Sequence, residues 1–163
     1  MPVPLLDEAT ASFLGTGCSM IVGTATPDGE PVAARGWGCA VVDNAPGAAR
    51  LRLLMSLDDV VGHVDARPGD RVAVTATNVR TLRSVQLKGT ILAIEEADGR
   101  DGATFGAYCE QLFRDIHETD DTSRDLFDQL VPGGVLVWVV EVGEAFDQTP
   151  GPAAGSPMPA RAP

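Results

Sequence analysis

Between residues 67 and 88 the chain carries five cations, Arg67, Arg71, Arg80, Arg83 and Lys88, against one acid, Asp70. That stretch is +4 in a chain whose formal charge is −11 at pH 7, so the remainder sums to −15. Arginine makes bidentate, charge-assisted bonds to phosphate and carboxylate, and a cationic strand pair in an acidic protein is a seat for such a group. The alternative is that these cations pair with acids across the sheet or between subunits, where an exposed pair is worth about 0–1 kcal/mol. A period of two puts Ser84, Gln86 and Lys88 on one side of a strand and Arg83, Val85 and Leu87 on the other. One side is then a row of hydrogen-bonding groups.

Arg35-Gly36-Trp37-Gly38 is the second unusual run. Two glycines weaken a strand, yet they let another backbone or a flat ligand approach, and Trp37 could stack on such a ligand. Equally, Trp37 is a core or interface residue and the glycines mark bulges. His63 and His117 are far apart and lack metal-ligand spacing, although either could bind a haem iron axially. Cys18, Cys39 and Cys109 form no Cys-x-x-Cys pair, so neither a disulfide framework nor a metal site is expected, and Cys18 reads as a buried, inert thiol. Glu95 to Asp98 and Glu118 to Asp121 read as solvated acidic turns, and there is no P-loop or dinucleotide fingerprint. Any enzymatic chemistry must therefore come from a bound cofactor.

These groups sit in a chain of 163 residues that is 44% apolar and 21% charged, enough for one domain with a proper core. The net charge repels nucleic acid and anionic lipid. No apolar run approaches bilayer-spanning length, and Asp7 and Glu8 stand where a signal peptide would be basic, so a soluble cytoplasmic protein is expected.

The first 14 residues read as a short helix stopped by Gly15 and Gly17. Cys18 to Ala25 and Pro31 to Val42 form a hairpin around Thr26-Pro27-Asp28-Gly29. Asp43 to Gly47 is a second turn, Arg50 to Met55 a third strand, and Asp58 to Asp65 a short helix. Arg71 to Thr77 and Arg83 to Ile94 are strands four and five. Ala103 to Glu118 is an amphipathic helix, a shorter one spans Ser123 to Leu130, and Val135 to Val142 is an apolar strand. A barrel domain over residues 1–149 and a proline-rich tail over 150–163, extended or disordered, follow from this pattern. The fold class is mainly β, a small antiparallel barrel with flanking helices.

The order of motifs is similar to one family. Gly17-Cys18-Ser19-Met20-Ile21-Val22-Gly23-Thr24, then Asp28-Gly29-Glu30-Pro31, then Arg35-Gly36-Trp37-Gly38, then Arg67 to Val74, then Thr81 to Gly89 resembles the pyridoxamine 5′-phosphate oxidase-like, FMN-binding split-barrel family. Glu144 to Pro152 looks like the C-terminal signature of its small bacterial members. The resemblance implies a six-stranded split barrel, a homodimer, and two FMN sites at the subunit interface. It places the isoalloxazine against Arg35, Gly36, Trp37 and Gly38, and the phosphate against Ser56 with the loop after it and against Arg83, Ser84, Gln86 and Lys88. Relatives also bind a deazaflavin or haem, and some have no demonstrated cofactor. One departure stands out: where phosphate-binding members place a Ser-Arg-Lys-type run, this chain has Ser56-Leu57-Asp58-Asp59, whose acids repel a phosphate. The resemblance thus implies an FMN-dependent oxidoreductase passing electrons between a nicotinamide and a small substrate. The alternatives are a haem- or deazaflavin-binding barrel, or a non-catalytic member without cofactor.

Overall fold

The computed structural model describes residues 3–58 and 66–158. Most of the helix expected at Asp58 to Asp65 lies outside them, and so do Asp59 and His63.

Asp7 caps the first helix, α1 (Glu8–Leu14), accepting from the Thr10 amide at 2.7 Å. Phe13 and Leu14 of α1 enter the core beside Leu6. The chain then forms β1 (Ser19–Ala25) and β2 (Pro31–Ala45), joined by the expected turn with Gly29 at φ +86°. After β2 come β3 (Ala48–Ser56), β4 (Arg71–Thr77), β5 (Ser84–Glu96), α2 (Gly99–Asp120), α3 (Arg124–Asp128), β6 (Val135–Asp147) and a two-residue β7 (Ser156–Pro157). Every pairing is antiparallel, in the order β3-β2-β1-β4-β5-β6-β7, and β6 also pairs with β3. The first six strands therefore close into a ring, which removes the exposed edges that an open sheet would present. Alternate side chains fill its interior: Met20 and Val22 of β1, Leu51 and Leu53 of β3, and Val74 and Ala76 of β4 are at most 1% exposed.

Helix α2 covers β2 and β3 from outside. Its N-terminus carries a capping box between Asp98 and Asp101, and the Asp101 carboxylate also takes a bidentate bond from Arg52 of β3. At the other end of the contact Gly17 has no room for a side chain: a Cβ there would stand 2.6 Å from the Leu112 amide nitrogen. The glycines on the far side of α2 are different. A Cβ on Gly106 meets nothing within 4 Å, so Gly106→Ala should stabilise the protein by about 0.5–1 kcal/mol through helix propensity alone. A higher urea midpoint with unchanged slope is the expected reading.

Three expectations need correction. The second turn is shorter than Asp43 to Gly47, because β2 runs on to Ala45 with Asp43, Asn44 and Ala45 opposite Arg50, Ala49 and Ala48. Asn44 is held there by the N-terminal segment, its Oδ1 accepting from the Leu6 amide at 3.1 Å and its Nδ2 donating to the Leu6 carbonyl at 2.8 Å. Glu118 to Asp120 form the last turn of α2, and Asp98 begins the helix, so neither acidic run is simply a solvated turn. The tail is not extended: up to Met158 it folds back, with β7 opposite Phe146 and Asp147 and the Met158 amide donating to the Ala145 carbonyl at 2.8 Å. No helix among the described residues is long and apolar enough to cross a membrane.

Candidate functional site

A bulge in β2 builds the site. The register with β3 passes from Gly36 opposite Met55 to Cys39 opposite Leu53, leaving Trp37 and Gly38 both against the Leu54 position. Neither glycine opens onto a ligand. A Cβ on Gly36 would point into the barrel, 3.0 Å from Met20 Cβ and 3.3 Å from Val22 Cγ2. Gly38 has φ +120°, and its Cβ would stand 3.2 Å from Tyr108 Cβ and 3.5 Å from Leu54 Cδ1. Their smallness serves the close packing of strand, core and α2. Trp37 is 4% exposed, edge-on to Phe105 at 6.4 Å, and its ring carries the Arg35 guanidinium 5.0 Å from the centroid. The ring face expected to stack on a ligand is a shelf for Arg35.

Arg35 itself is incompletely satisfied. Its Nε is buried and has no hydrogen-bond partner among the described residues. A buried charged donor left unmade costs at least about 1–3 kcal/mol, so such a group calls for an acceptor. Arg35, Trp37, Ser56, Asp58, Gln129, Leu130, Val131 and Pro132 line a cavity of about 300 Å³. Ser56 is 8% exposed and its Oγ accepts from the Asp58 amide at 3.0 Å. Asp58 Oδ2 accepts from the Gly133 amide at 2.7 Å, tying the end of β3 to the loop before β6. The Gln129–Pro132 wall was not anticipated. Its only sequence signal is the helix-ending Pro132-Gly133-Gly134 run, and its place beside Arg35 is a matter of tertiary packing.

The β5 residues lie elsewhere on the same wall. Partnered positions run Arg35, Ile21, Thr75, Gln86 across the outside of β2, β1, β4 and β5. Three strand spacings separate Arg35 from Gln86, about 14 Å. The Ser84 hydroxyl is engaged, donating to the Leu82 carbonyl at 3.0 Å and hydrogen-bonded to Thr77 Oγ1 at 2.8 Å. Gln86 Nε2 donates to Thr75 Oγ1 at 3.1 Å. Arg83 lies over the Phe13 ring at 4.4 Å and Lys88 Nζ over Phe146 at 4.5 Å. Among the described residues neither makes an ion pair, whereas Arg80 pairs with Glu118 at 2.6 Å, so the cationic segment is only partly neutralised. Within one chain the structure brings Arg35, Trp37 and Ser56 together, and it leaves Arg83, Ser84, Gln86 and Lys88 outside that cavity.

The remaining reactive types are quiet. Cys18 and Cys39 are buried, their thiols directed at the Phe13 and Leu14 carbonyls at 3.5 and 3.4 Å. Burial raises the Cys18 pKa and pushes Cys39 up to about 12 and Cys109 to about 11, which keeps all three protonated and unreactive. His117 stacks on Phe113 at 5.6 Å, with Nδ1 2.9 Å from the Thr122 carbonyl.

Solved structures share the fold. HupZ of Group A Streptococcus superposes with a TM-score of 0.50 at 15% identity over 92% of this chain and 99% of its own. A candidate pyridoxamine 5′-phosphate oxidase of Lactobacillus delbrueckii gives 0.50 at 14% identity over 88% and 98%. The fold is the pyridoxamine 5′-phosphate oxidase-like split barrel. An F420 reductase gives a TM-score of 0.48 at 16% identity over 86% of this chain and 98% of its own. No protein-family profile matches this split barrel, and no curated protein is detectably similar to it in sequence.

Proposed function

We propose that this split barrel binds a flavin-type cofactor, FMN or a deazaflavin, with its ring system at the Arg35 cavity, and acts as an oxidoreductase on a small substrate. The observation that carries this reading is Arg35, which makes no ion pair or side-chain hydrogen bond among the described residues, has a buried Nε without an acceptor, and lines a cavity of polar and apolar groups together. That donor fits a ring carbonyl or ring nitrogen. The cofactor would supply the two-electron chemistry. The chain's own groups bind and orient: Arg35 donates from its Trp37 shelf, and Leu130, Val131 and Pro132 keep water from the ring.

The cavity's 300 Å³ is at the bottom of the roughly 300–1,000 Å³ range of small-molecule sites, and Arg83 and Lys88 lie outside it. A second copy resolves both points. In the homodimer we propose, the wall around Ile21, which is 51% exposed between Gly23, Ala33 and Ala73, meets its equivalent, and one protomer offers Arg83, just before β5, and Lys88, on β5, to the phosphate end of a cofactor whose ring sits in the other.

The test is flavin titration of the purified protein followed by gel filtration. A dimer that retains absorbance near ~370 and ~450 nm is expected. Arg35→Leu should weaken FMN by roughly 10- to 100-fold, the worth of a charge-assisted hydrogen bond. Arg83→Ala combined with Lys88→Ala should weaken FMN without dissociating the dimer, and should leave a phosphate-free ring compound unaffected. A protein that retains neither FMN nor a deazaflavin, or takes up haem in their place, would overturn the assignment.

A further inference from the structure

The resemblance puts a cofactor phosphate at the end of β3, where this chain has Ser56, Leu57 and Asp58. We propose the opposite: the Ser56–Asp58 corner of the Arg35 cavity binds the planar imide edge of a pyrimidine-dione ring, the part that flavins and deazaflavins share, and excludes phosphate. This rests on the flavin-type reading above and assigns the end of the cofactor that enters first.

A phosphate at neutral pH offers acceptors only, so it would satisfy Arg35 Nε but stand against the Asp58 carboxylate, and two anions in contact cost more than the single bond returns. A cyclic imide presents carbonyl, N–H, carbonyl along one edge. The Arg35 guanidinium supplies the donor such a carbonyl needs: it lines the cavity and makes no ion pair or side-chain hydrogen bond among the described residues. Asp58 is the acceptor that the ring N–H needs. Its Oδ2 is committed to the Gly133 amide, which fixes the carboxylate, while Oδ1 carries no hydrogen bond among the described residues. Arg35 and Asp58 line the same cavity without forming an ion pair with each other, so both keep capacity for a ligand that is donor and acceptor at once. Leu130, Val131 and Pro132 supply apolar surface for the ring faces. The cavity's 300 Å³ suits the ring end of a cofactor better than a ring, a ribityl chain and a phosphate together.

Fluorescence titration with lumichrome, which has the dione ring but no chain or phosphate, tests this directly. Lumichrome should bind, methylation at its imide nitrogen should weaken it by about tenfold or more, and millimolar inorganic phosphate should not displace it. Asp58→Ala should weaken lumichrome by a similar factor. Because that change also frees the Gly133 amide, Asp58→Asn serves beside it: its single oxygen still accepts from the Gly133 amide and keeps the loop in place, while its –NH2 stands where the ring N–H needs an acceptor, so binding should fall at least as far. The methylated probe needs no variant, so a folding defect cannot mimic its result. FMN binding without lumichrome binding, or displacement of lumichrome by phosphate, would overturn the imide assignment and leave the flavin reading standing. Failure of both FMN and lumichrome to bind would remove the flavin reading and this inference with it.

Discussion

Gly89→Ala is expected to cost about 3 kcal/mol or more and to unfold a large fraction of the protein under mild denaturant. A Cβ at this position would stand 2.0 Å from the Glu141 carbonyl oxygen and 2.8 Å from its carbon. Those are backbone atoms of β6, so no side-chain rotation relieves the overlap. The register shift between Lys88 and Gly89 exists because Val142 is opposite Gly89 and Glu144 opposite Lys88, with Gly143 the extra residue. Strand β5 must part from β6 at that point, and β6 closes the ring by pairing with β3, so the damage reaches the closure itself. Overpacking usually costs about 1–3 kcal/mol, and more when backbone must move. Gly143→Ala is the control, since its Cβ meets nothing within 4 Å. Urea midpoints measured on both variants should differ widely; equal midpoints would mean that β5 and β6 do not pair in this register.

Asp101→Ala should destabilise the protein by about 2–4 kcal/mol at neutral pH. Arg52 Nε and Nη2 donate to Asp101 Oδ1 and Oδ2 at 2.9 and 2.7 Å, and the Asp98 amide donates to Oδ2 at 2.8 Å. Removing the carboxylate takes away half of a capping box, about 1 kcal/mol, and leaves Arg52, whose side chain is 23% exposed, with Glu95 alone. The effect depends on pH with a definite sign. The Arg52 hydrogen bonds hold the Asp101 carboxyl below its ordinary range despite the opposing effect of burial. A carboxylate depressed in the folded state contributes fully above its unfolded pKa, about 3.9, and loses that contribution as pH falls through the folded value. The stability gap between wild type and Asp101→Ala should therefore be widest near neutral pH and shrink below about pH 4. A gap that stays constant down to pH 2 would show that the carboxylate charge contributes nothing. The site should feel this change as well, because α2 carries Tyr108, whose hydroxyl donates to the Gly36 carbonyl at 3.4 Å beside the bulge that holds Trp37 and Arg35.

Local chemistry made much of the barrel legible. Turn residues with a single good geometry, such as Pro27-Asp28-Gly29, and the β-branched run Arg71–Thr77 marked their elements to within a residue, since a turn or a short strand is decided by its own backbone preferences. The errors fell where a distant partner overrode those preferences. Asn44 is a turn residue by composition and a strand residue in fact, because Leu6 supplies hydrogen bonds from 38 positions away. Asp98 is a different case, a local one: it read as a solvated acid, yet its side chain accepts from the Arg100 and Asp101 amides and starts α2 at Gly99, about one turn earlier than the apolar spacing does. The proline-rich tail reads as extended or disordered, and up to Met158 it pairs with the end of β6 that β3 leaves open.

The candidate site divides in the same way. A cationic segment, an Arg-Gly-Trp-Gly run and a strand alternation that puts Ser84, Gln86 and Lys88 on one side are legible in the sequence alone. Tertiary structure alone decided that Gly36 and Gly38 are small for the sake of Met20, Val22, Leu54 and Tyr108, that Trp37 supports Arg35, and that Asp58 is held by Gly133, 75 residues on. The physical reason is that burial, desolvation and hydrogen-bond satisfaction belong to surroundings assembled from distant parts of the chain. An arginine in a strand is an ordinary residue until the fold closes over its Nε and supplies no acceptor.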